Sequence, residues 1–263
     1  MCPINRLPPE QSRPENMSSR TVAVAVENTH LASGGSVMAE EDGLGIRELA
    51  DQAGLFVHMD GARLWNACAA SGRAPADVAR PADTVMVCYS KGLGAPVGSA
   101  LAGPADFMEE AWRVRRRLGG SMRQSGIVAA GALHALDHHL DRLLTDHENA
   151  TLLAERLEGI PGLEVVPPET NVVMIDLEPG WSDPEAVLSS LRARGVLLTP
   201  FGGRRLRAVT HRGVGSRGVA RAAVVLREVV GEAGLSAAGG PSGGGAGAGA
   251  GGWSGGPGGG GGG

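Results

Sequence analysis

The pattern of apolar and polar positions predicts strands that alternate with helices. Three apolar runs are typical of buried strands: residues 21–27, which are rich in β-branched residues, 55–60 and 84–90. A helical pattern over 46–53 separates the first two runs and ends at Gly54. Strands separated by helical segments favour a parallel sheet with right-handed crossovers, whose ligands bind at the carboxyl ends of the strands. Asp60 and Lys91 both lie at such predicted ends.

The second half of the chain predicts a smaller α/β unit. Helices over 107–118 and 124–144 are expected at the end of the larger, first unit. The smaller unit is expected to contain helices over 147–158, 184–194 and 217–230, and strands over 171–177 and 205–210. We place a boundary near 146–150, between a partial large domain (21–146) and a small C-terminal domain (147–233). Residues 1–20 are expected to be irregular. Residues 234–263 are expected to be a disordered tail, because 17 of the 25 residues from 239 onward are glycine and bury too little to offset the entropy of ordering.

Composition narrows the function classes. A hydrophobic content of 42% in 263 residues is enough for a substantial core, while a net charge of -4 predicts no general attraction to nucleic acid or anionic membrane. No apolar run reaches the roughly 18 residues of a membrane span, and the first 20 residues have no signal-peptide core, so a cytoplasmic location is expected. The three cysteines (Cys2, Cys68 and Cys88) lack CxxC spacing and indicate neither disulfides nor zinc.

The stretch YSKGLGAPVGS at residues 89–99 places a lysine before a glycine-rich turn. The spacing G-x-G-x-x-x-G, with Pro96 inside it, disfavours a dinucleotide site, and a phosphate-binding loop would need its lysine after the glycines. Lys91 could instead form a Schiff base, although a lysine capping a turn is the alternative. Asp60 and Arg63 add weight, because pyridoxal phosphate needs both a lysine and a carboxylate, whereas a surface ion pair is their simpler interpretation.

Two clusters favour simple interpretations. A basic run could suggest nucleic acid, but it shares a helix with Glu109 and Glu110 and is better explained as a solvated face or subunit contact: Arg113, Arg115, Arg116 and Arg117. A histidine cluster could suggest a metal: His134, His138 and His139, with Asp137 and Asp141. Nothing supplies a clear third ligand for the pair His134 and His138, so no metal site is predicted.

Six segments resemble, in order and spacing, those of the low-specificity threonine aldolases. They are ENTH (27–30), HMDGARLWNA (58–67), SKGLGAPVGS (90–99), GGSMRQSG (119–126), DHENA (146–150) and VTH (209–211). The resemblance spans about residues 21–232 and implies an α/β, aspartate aminotransferase-like fold with an incomplete, parallel-rich large domain. It also implies a pyridoxal phosphate lyase that splits threonine and allo-threonine into glycine and acetaldehyde.

The resemblance implies a role for five residues. Lys91 looks like the Schiff-base lysine, and Asp60 like the partner of the pyridine nitrogen. Arg63 would lie beside the cofactor's phenolic oxygen, and Arg123 resembles an arginine that reaches the cofactor phosphate across a subunit interface. Arg207 resembles the residue that clamps the substrate carboxylate, for which a guanidinium is suited. A homo-oligomer, a tetramer built from dimers, is the implied assembly.

The base that takes the hydroxyl proton is left open between His30 and His211, either of which could instead hydrogen-bond backbone or a nearby loop. Residues 1–20 contain no counterpart of the family's phosphate-binding turn, ring-stacking histidine or N-terminal serine. Two alternatives therefore stand beside an active aldolase. One is an impaired family member that acts by association with intact subunits, and the other is an aminotransferase-like enzyme of the same fold.

Overall fold

A computed structural model describes residues 21–181 and 183–238. The first half contains a four-stranded sheet of order β1-β2-β3-β4, in which β1 to β3 are parallel and β4 is antiparallel. Its strands are β1 (Ala23–Glu27), β2 (Phe56–Gly61), β3 (Thr84–Cys88) and β4 (Ser99–Ala102). Its helices are α1 (Glu40–Ala53), α2 (Leu64–Ser71) and α3 (Pro75–Ala79). The crossovers through these helices make the first three strands parallel, as predicted.

The second half contains an antiparallel sheet of order β5-β6-β8-β7. Its strands are β5 (Leu163–Val166), β6 (Val172–Leu177), β7 (Thr199–Pro200) and β8 (Arg205–Val209). The helices that follow β4 in the chain are α4 (Ala105–Arg117), α5 (Gly126–His138), α6 (Arg142–Leu157), α7 (Pro184–Ala193) and α8 (Ser216–Ala238). Buried side chains of α6, α7 and α8 form the largest apolar core with this sheet.

Some predicted boundaries were wrong. The helix expected over 124–144 is two helices, because the chain leaves α5 at His139, whose ring binds the Leu93 carbonyl and Arg212 rather than continuing a helix surface. The helix expected over 147–158 begins earlier, at Arg142 of α6, and the domain boundary proposed near 146–150, which falls within this helix, stays a prediction. Strand β4 was not predicted. The predicted tail begins inside α8, while residues 1–20 and 239–263 lie outside the described part of the chain.

The two faces of the first sheet differ, and the difference positions the site. Alternate side chains of a strand point to opposite faces. Met59 is fully buried on one face, where it packs with Val26 and Val85 against α2 and α3. Strand register therefore places Glu27 and Asp60, which are directly paired, on the opposite face. That face carries the polar groups at the carboxyl ends of the strands.

Candidate active site

Asp60 lies near the carboxyl end of β2, between Glu27 of β1 and Met86 of β3. Its carbonyl oxygen accepts a hydrogen bond from the Asn28 N–H at 3.0 Å, which extends the parallel ladder by one residue. Its Oδ1 accepts the Ala62 N–H at 2.9 Å, which orients the carboxylate at the start of the β2–α2 turn. Among the residues that the structure describes, the other carboxylate oxygen has no hydrogen-bond partner. It is available to a ligand.

Lys91 follows the end of β3 by three residues and lies in a tight turn. The turn is anchored by backbone bonds from the Gly94 N–H to the Lys91 carbonyl (3.0 Å) and from the Ala95 N–H to the Tyr89 carbonyl (2.9 Å). Leu93 is fully buried beneath the turn. The Lys91 side chain is exposed and makes no hydrogen bond or ion pair within 21–181 and 183–238. It is also the only lysine in the sequence.

Arg63 joins the two halves of the site electrostatically. It is half-buried at the N-cap of α2, three residues after Asp60. Burial lowers the pKa of its guanidinium below the ordinary value, and the positive charge of Arg207 lowers this pKa further. Glu27, Cys88 and Asp60 act in the opposite direction. Asp60 and Arg207 are thus both near enough to Arg63 to change its pKa, as is Cys88 at the end of the strand that leads to Lys91, and we call Asp60, Arg63 and Arg207 the charge cluster.

Arg207 reaches this cluster from β8 of the second sheet. Its Nε donates to the Thr199 Oγ1 at 3.1 Å, and its guanidinium carbon lies 5.4 Å from the centre of the Phe201 ring. One polar and one aromatic contact therefore hold the guanidinium. Its remaining N–H groups can bind a ligand carboxylate in a forked arrangement.

Arg123 is not brought into the cluster. It lies exposed in the turn between α4 and α5, next to Gln124, whose φ is 52°. Over the described part of the chain, its side chain makes no hydrogen bond or ion pair. The role that the resemblance gives this residue, contact with a cofactor across a subunit interface, remains a prediction.

The two candidate histidines lie in different settings. His30 is exposed, with its Nδ1 2.9 Å from the Ser33 Oγ and its Nε2 4.0 Å from the Glu27 carboxylate. It therefore borders the charge cluster. His211 accepts the Gly213 N–H through its Nδ1 at 3.1 Å, which is the backbone contact foreseen as its simpler role.

A buried polar network was missed by the sequence reasoning. Asn66 Nδ2 lies 3.0 Å from His147 Nε2 and 3.4 Å from Asn171 Oδ1. Asn171 donates to the Thr210 carbonyl at 2.9 Å, and the Thr210 hydroxyl donates to the Asp146 carbonyl at 2.6 Å. Four of these residues lie in segments that carry the family resemblance. Their location in those segments was the signal that the sequence offered. Spacing along the sequence does not show that the side chains meet.

The donors at this site fit pyridoxal phosphate. An unpartnered lysine matches the cofactor aldehyde, and a carboxylate with a free oxygen matches a protonated ring nitrogen. Two guanidinium groups match anionic oxygens of a cofactor or an amino acid. Within the described ranges, no group of three or more histidines, cysteines or acidic residues is arranged to hold a metal ion. No helix there is both long and apolar enough to cross a membrane.

Comparison with known proteins identifies the family. The family model for beta-eliminating lyases matches residues 10–179. Low-specificity L-threonine aldolase 1 of Arabidopsis thaliana is 42% identical over 194 residues, which cover 73% of this chain and 54% of that protein. The chain belongs to the beta-eliminating lyase family. Within the family, the low specificity L-threonine aldolase of Escherichia coli K12 is 37% identical over 195 residues, covering 73% of this chain and 56% of that protein.

Solved structures show the same fold for this beta-eliminating lyase. A threonine aldolase of Leishmania major superposes with a TM-score of 0.67 at 21% identity, covering 83% of this chain and 64% of that one. An ornithine aminotransferase of Toxoplasma gondii, with PLP partially occupying its active site, superposes with a TM-score of 0.59 at 19% identity, covering 82% and 52%. The predicted aspartate aminotransferase-like α/β fold is confirmed. The matched part spans about half the length of the curated relatives.

Proposed function

We propose that this beta-eliminating lyase binds pyridoxal phosphate and cleaves L-threonine and L-allo-threonine to glycine and acetaldehyde. The observation that carries the proposal is the charge cluster of Asp60, Arg63 and Arg207 beside the strand end that leads to Lys91. The threonine aldolases among the relatives support the substrate class. No observation on this chain favours an aminotransferase over a lyase.

Each residue has a proposed task. Lys91 holds the cofactor aldehyde, and the Asp60 carboxylate keeps the ring nitrogen protonated. When bound, the cofactor supplies an electron-withdrawing ring conjugated to the amino group of the substrate. Arg63 would lie against a cofactor oxygen, and Arg207 would hold the substrate carboxylate and so orient the bond to be broken.

The proton of the substrate hydroxyl must be accepted by a base. Of the two candidate histidines, we favour His30, because it lies 4.0 Å from Glu27 and so borders the cluster. His211 already uses its Nδ1 as an acceptor within its own loop.

We further propose a homo-oligomer in the cytoplasm, as the resemblance implies. The exposed position of Arg123 supports assembly, since an arginine without a described partner can contact a cofactor bound in a neighbouring subunit. In such an assembly, the site would be complete only where subunits meet.

The test is an assay of acetaldehyde release from L-threonine by the purified chain with added pyridoxal phosphate. Lys91→Ala is expected to abolish release, and Asp60→Asn to reduce it by about 100-fold or more, since the charge on the ring nitrogen is lost. Asp77→Asn, at an exposed carboxylate of α3, is the control and should not change it. Keto-acid formation instead of acetaldehyde would indicate an aminotransferase. Activity only after mixing with an intact relative would indicate the associating alternative.

A further inference from the structure

The parts of the proposed site lie on two different sheets. Asp60 and the turn that carries Lys91 belong to the sheet of β1 to β4, whereas Arg207 belongs to the sheet of β5 to β8. No strand pairs across the two sheets in the described part of the chain. Strand pairing therefore does not fix the spacing between the lysine and the carboxylate-binding arginine, and side-chain contacts between the halves contribute to it.

Asn66 makes a buried contact of this kind, beside that of His139, whose ring binds the Leu93 carbonyl and Arg212. Asn66 lies in the first turn of α2, three residues after Arg63, and is only 2% exposed. Its amide donates across the junction to the His147 Nε2 on α6 and to the Asn171 Oδ1 just before β6. Asn171 in turn donates to the carbonyl of Thr210, the residue that follows β8.

The same side chain packs against the lysine turn. A Cβ added to Gly92 would stand 2.9 Å from the Asn66 Oδ1, so glycine at this position allows the backbone next to Lys91 to approach the amide closely. Asn66 thus lies against Gly92 on one side and is linked on the other, through Asn171, to Thr210, three residues after Arg207.

A buried amide specifies geometry in a way that apolar packing does not. Apolar contact is non-directional, whereas a buried donor loses much of its value when its acceptor moves out of line. Because His147 accepts at Nε2, it must be neutral with its proton on Nδ1, and burial favours that form.

We infer that Asn66 is a positioning residue that sets the distance between the Lys91 turn and Arg207. The inference rests on the proposed function for its catalytic meaning. Its structural part, the coupling of the two segments, can be measured without cofactor.

The test compares Asn66→Ala with Asn149→Ala. Asn149 is a matched control because it is also a buried asparagine (4% exposed), but its amide donates to the Val214 carbonyl and not to α2. In the cofactor-free protein, hydrogen exchange is expected to rise about tenfold in Asn66→Ala at both 89–95 and 207–214. In Asn149→Ala it should rise only near 214. If Asn66→Ala does not fold, Asn66→Ser, whose hydroxyl is a shorter donor, replaces it in the comparison.

In the protein with cofactor, the readout is glycine binding by absorbance titration. Asn66→Ala should weaken glycine binding by about tenfold while leaving cofactor attachment at Lys91 unchanged, because attachment does not require Arg207. Asn149→Ala should leave glycine binding within about twofold. The inference is contradicted if Asn66→Ala and Asn149→Ala show the same pattern of hydrogen exchange. It is also contradicted if the two variants lose the same stability and bind glycine equally well, because Asn66 then has only a structural role. If the parent protein does not attach cofactor, the proposed function is contradicted, but the hydrogen-exchange result on the cofactor-free protein still stands.

Discussion

Asn66 and His147 are 81 residues apart in sequence, yet the Asn66 Nδ2 and the His147 Nε2 are 3.0 Å apart in the buried junction of the two halves. His147 is only 9% exposed, and burial lowers the pKa of its imidazole to about 4. The native protein therefore holds this ring neutral at a pH where an exposed histidine is charged.

The neutral His147 predicts a loss of stability in mild acid. The unfolded chain binds a proton at this residue near pH 6.5, whereas the native state does so only near its pKa of about 4. The free energy of unfolding should therefore fall as the pH drops through this window, by about 2 kcal/mol between about pH 7 and about pH 4.5. Urea unfolding across this range measures it. His147→Gln keeps an acceptor for Asn66 but does not titrate, so it should remove this part of the dependence of the unfolding free energy on pH. An unchanged slope would mean that His147 is accessible to protons.

Gly92 tests the close contact beside Lys91. In Gly92→Ala, the added Cβ would stand 2.8 Å from a Leu143 methyl carbon and 2.9 Å from the Asn66 Oδ1, so the free energy of unfolding should fall by about 1–3 kcal/mol. Gly126→Ala is the control, because nothing lies within 4 Å of its added Cβ and alanine favours a helix. Thermal unfolding of both variants makes the comparison. Equal stability of the two variants would show that the lysine turn is loosely packed.

Strands β1 to β3 were predictable because each coincides with an apolar run, and a helical pattern over 46–53 separates the first two runs. Strand β4 was not predictable in the same way, since only ten residues separate it from β3 and its exposed, alanine-containing sequence carries no strand pattern. The break at His139 depends on contacts with Leu93 and Arg212, which are distant in sequence. The local sequence pattern around residue 139 does not predict contacts between residues so far apart in the chain.

Asp83 connects α1 to the first sheet and predicts a second stability effect. Its Oδ2 accepts the Val57 N–H at 2.7 Å and an Arg47 N–H at 2.8 Å. Burial alone would raise the pKa of Asp83, but these two hydrogen bonds, together with the charge of Arg47, lower the pKa below its ordinary value. Asp83→Asn should therefore lower the free energy of unfolding by about 1–3 kcal/mol near neutral pH.

The pH dependence of this effect has a definite sign. A carboxylate with a lowered native pKa contributes stability above its unfolded value, and that contribution is lost as the pH falls through the native pKa. The difference between Asp83→Asn and the parent should shrink in strong acid. Asp77→Asn is the control, since its exposed pair with Arg80 should contribute less than about 0.5 kcal/mol. A cost for Asp83→Asn no larger than that of the control would contradict the assignment.

Arg207 predicts a kinetic effect. Arg207→Ala should raise the KM for L-threonine by about 10–100-fold, with a smaller change in kcat, because a charge-assisted contact of about 1.5–3 kcal/mol to the substrate carboxylate is lost. Arg192→Ala, at an exposed position on α7, is the matched control and should leave KM unchanged. Steady-state kinetics measures both variants. If KM is unaltered in Arg207→Ala, the substrate carboxylate binds elsewhere.

The site was predictable in its chemistry and only partly in its geometry. A lysine and an aspartate at the ends of neighbouring predicted strands indicated the site, because parallel strands bring their carboxyl ends to one edge. Arg207 could be assigned only by resemblance, since nothing in its own segment shows that the second sheet approaches Arg63. Glu27 and Asn66 lay in recognised segments without a role until the structure placed them.

The most direct test of the central claim is borohydride reduction of the protein with pyridoxal phosphate, followed by peptide mass mapping. Because Lys91 is the only lysine, a label there is distinguishable from one on the N-terminal amine. The account predicts one label per chain, on the peptide that contains residue 91, at low cofactor concentration, with weaker labelling in Asp60→Asn. Labelling that needs a large excess of cofactor and is the same in Asp60→Asn would contradict a cofactor site built by these two residues.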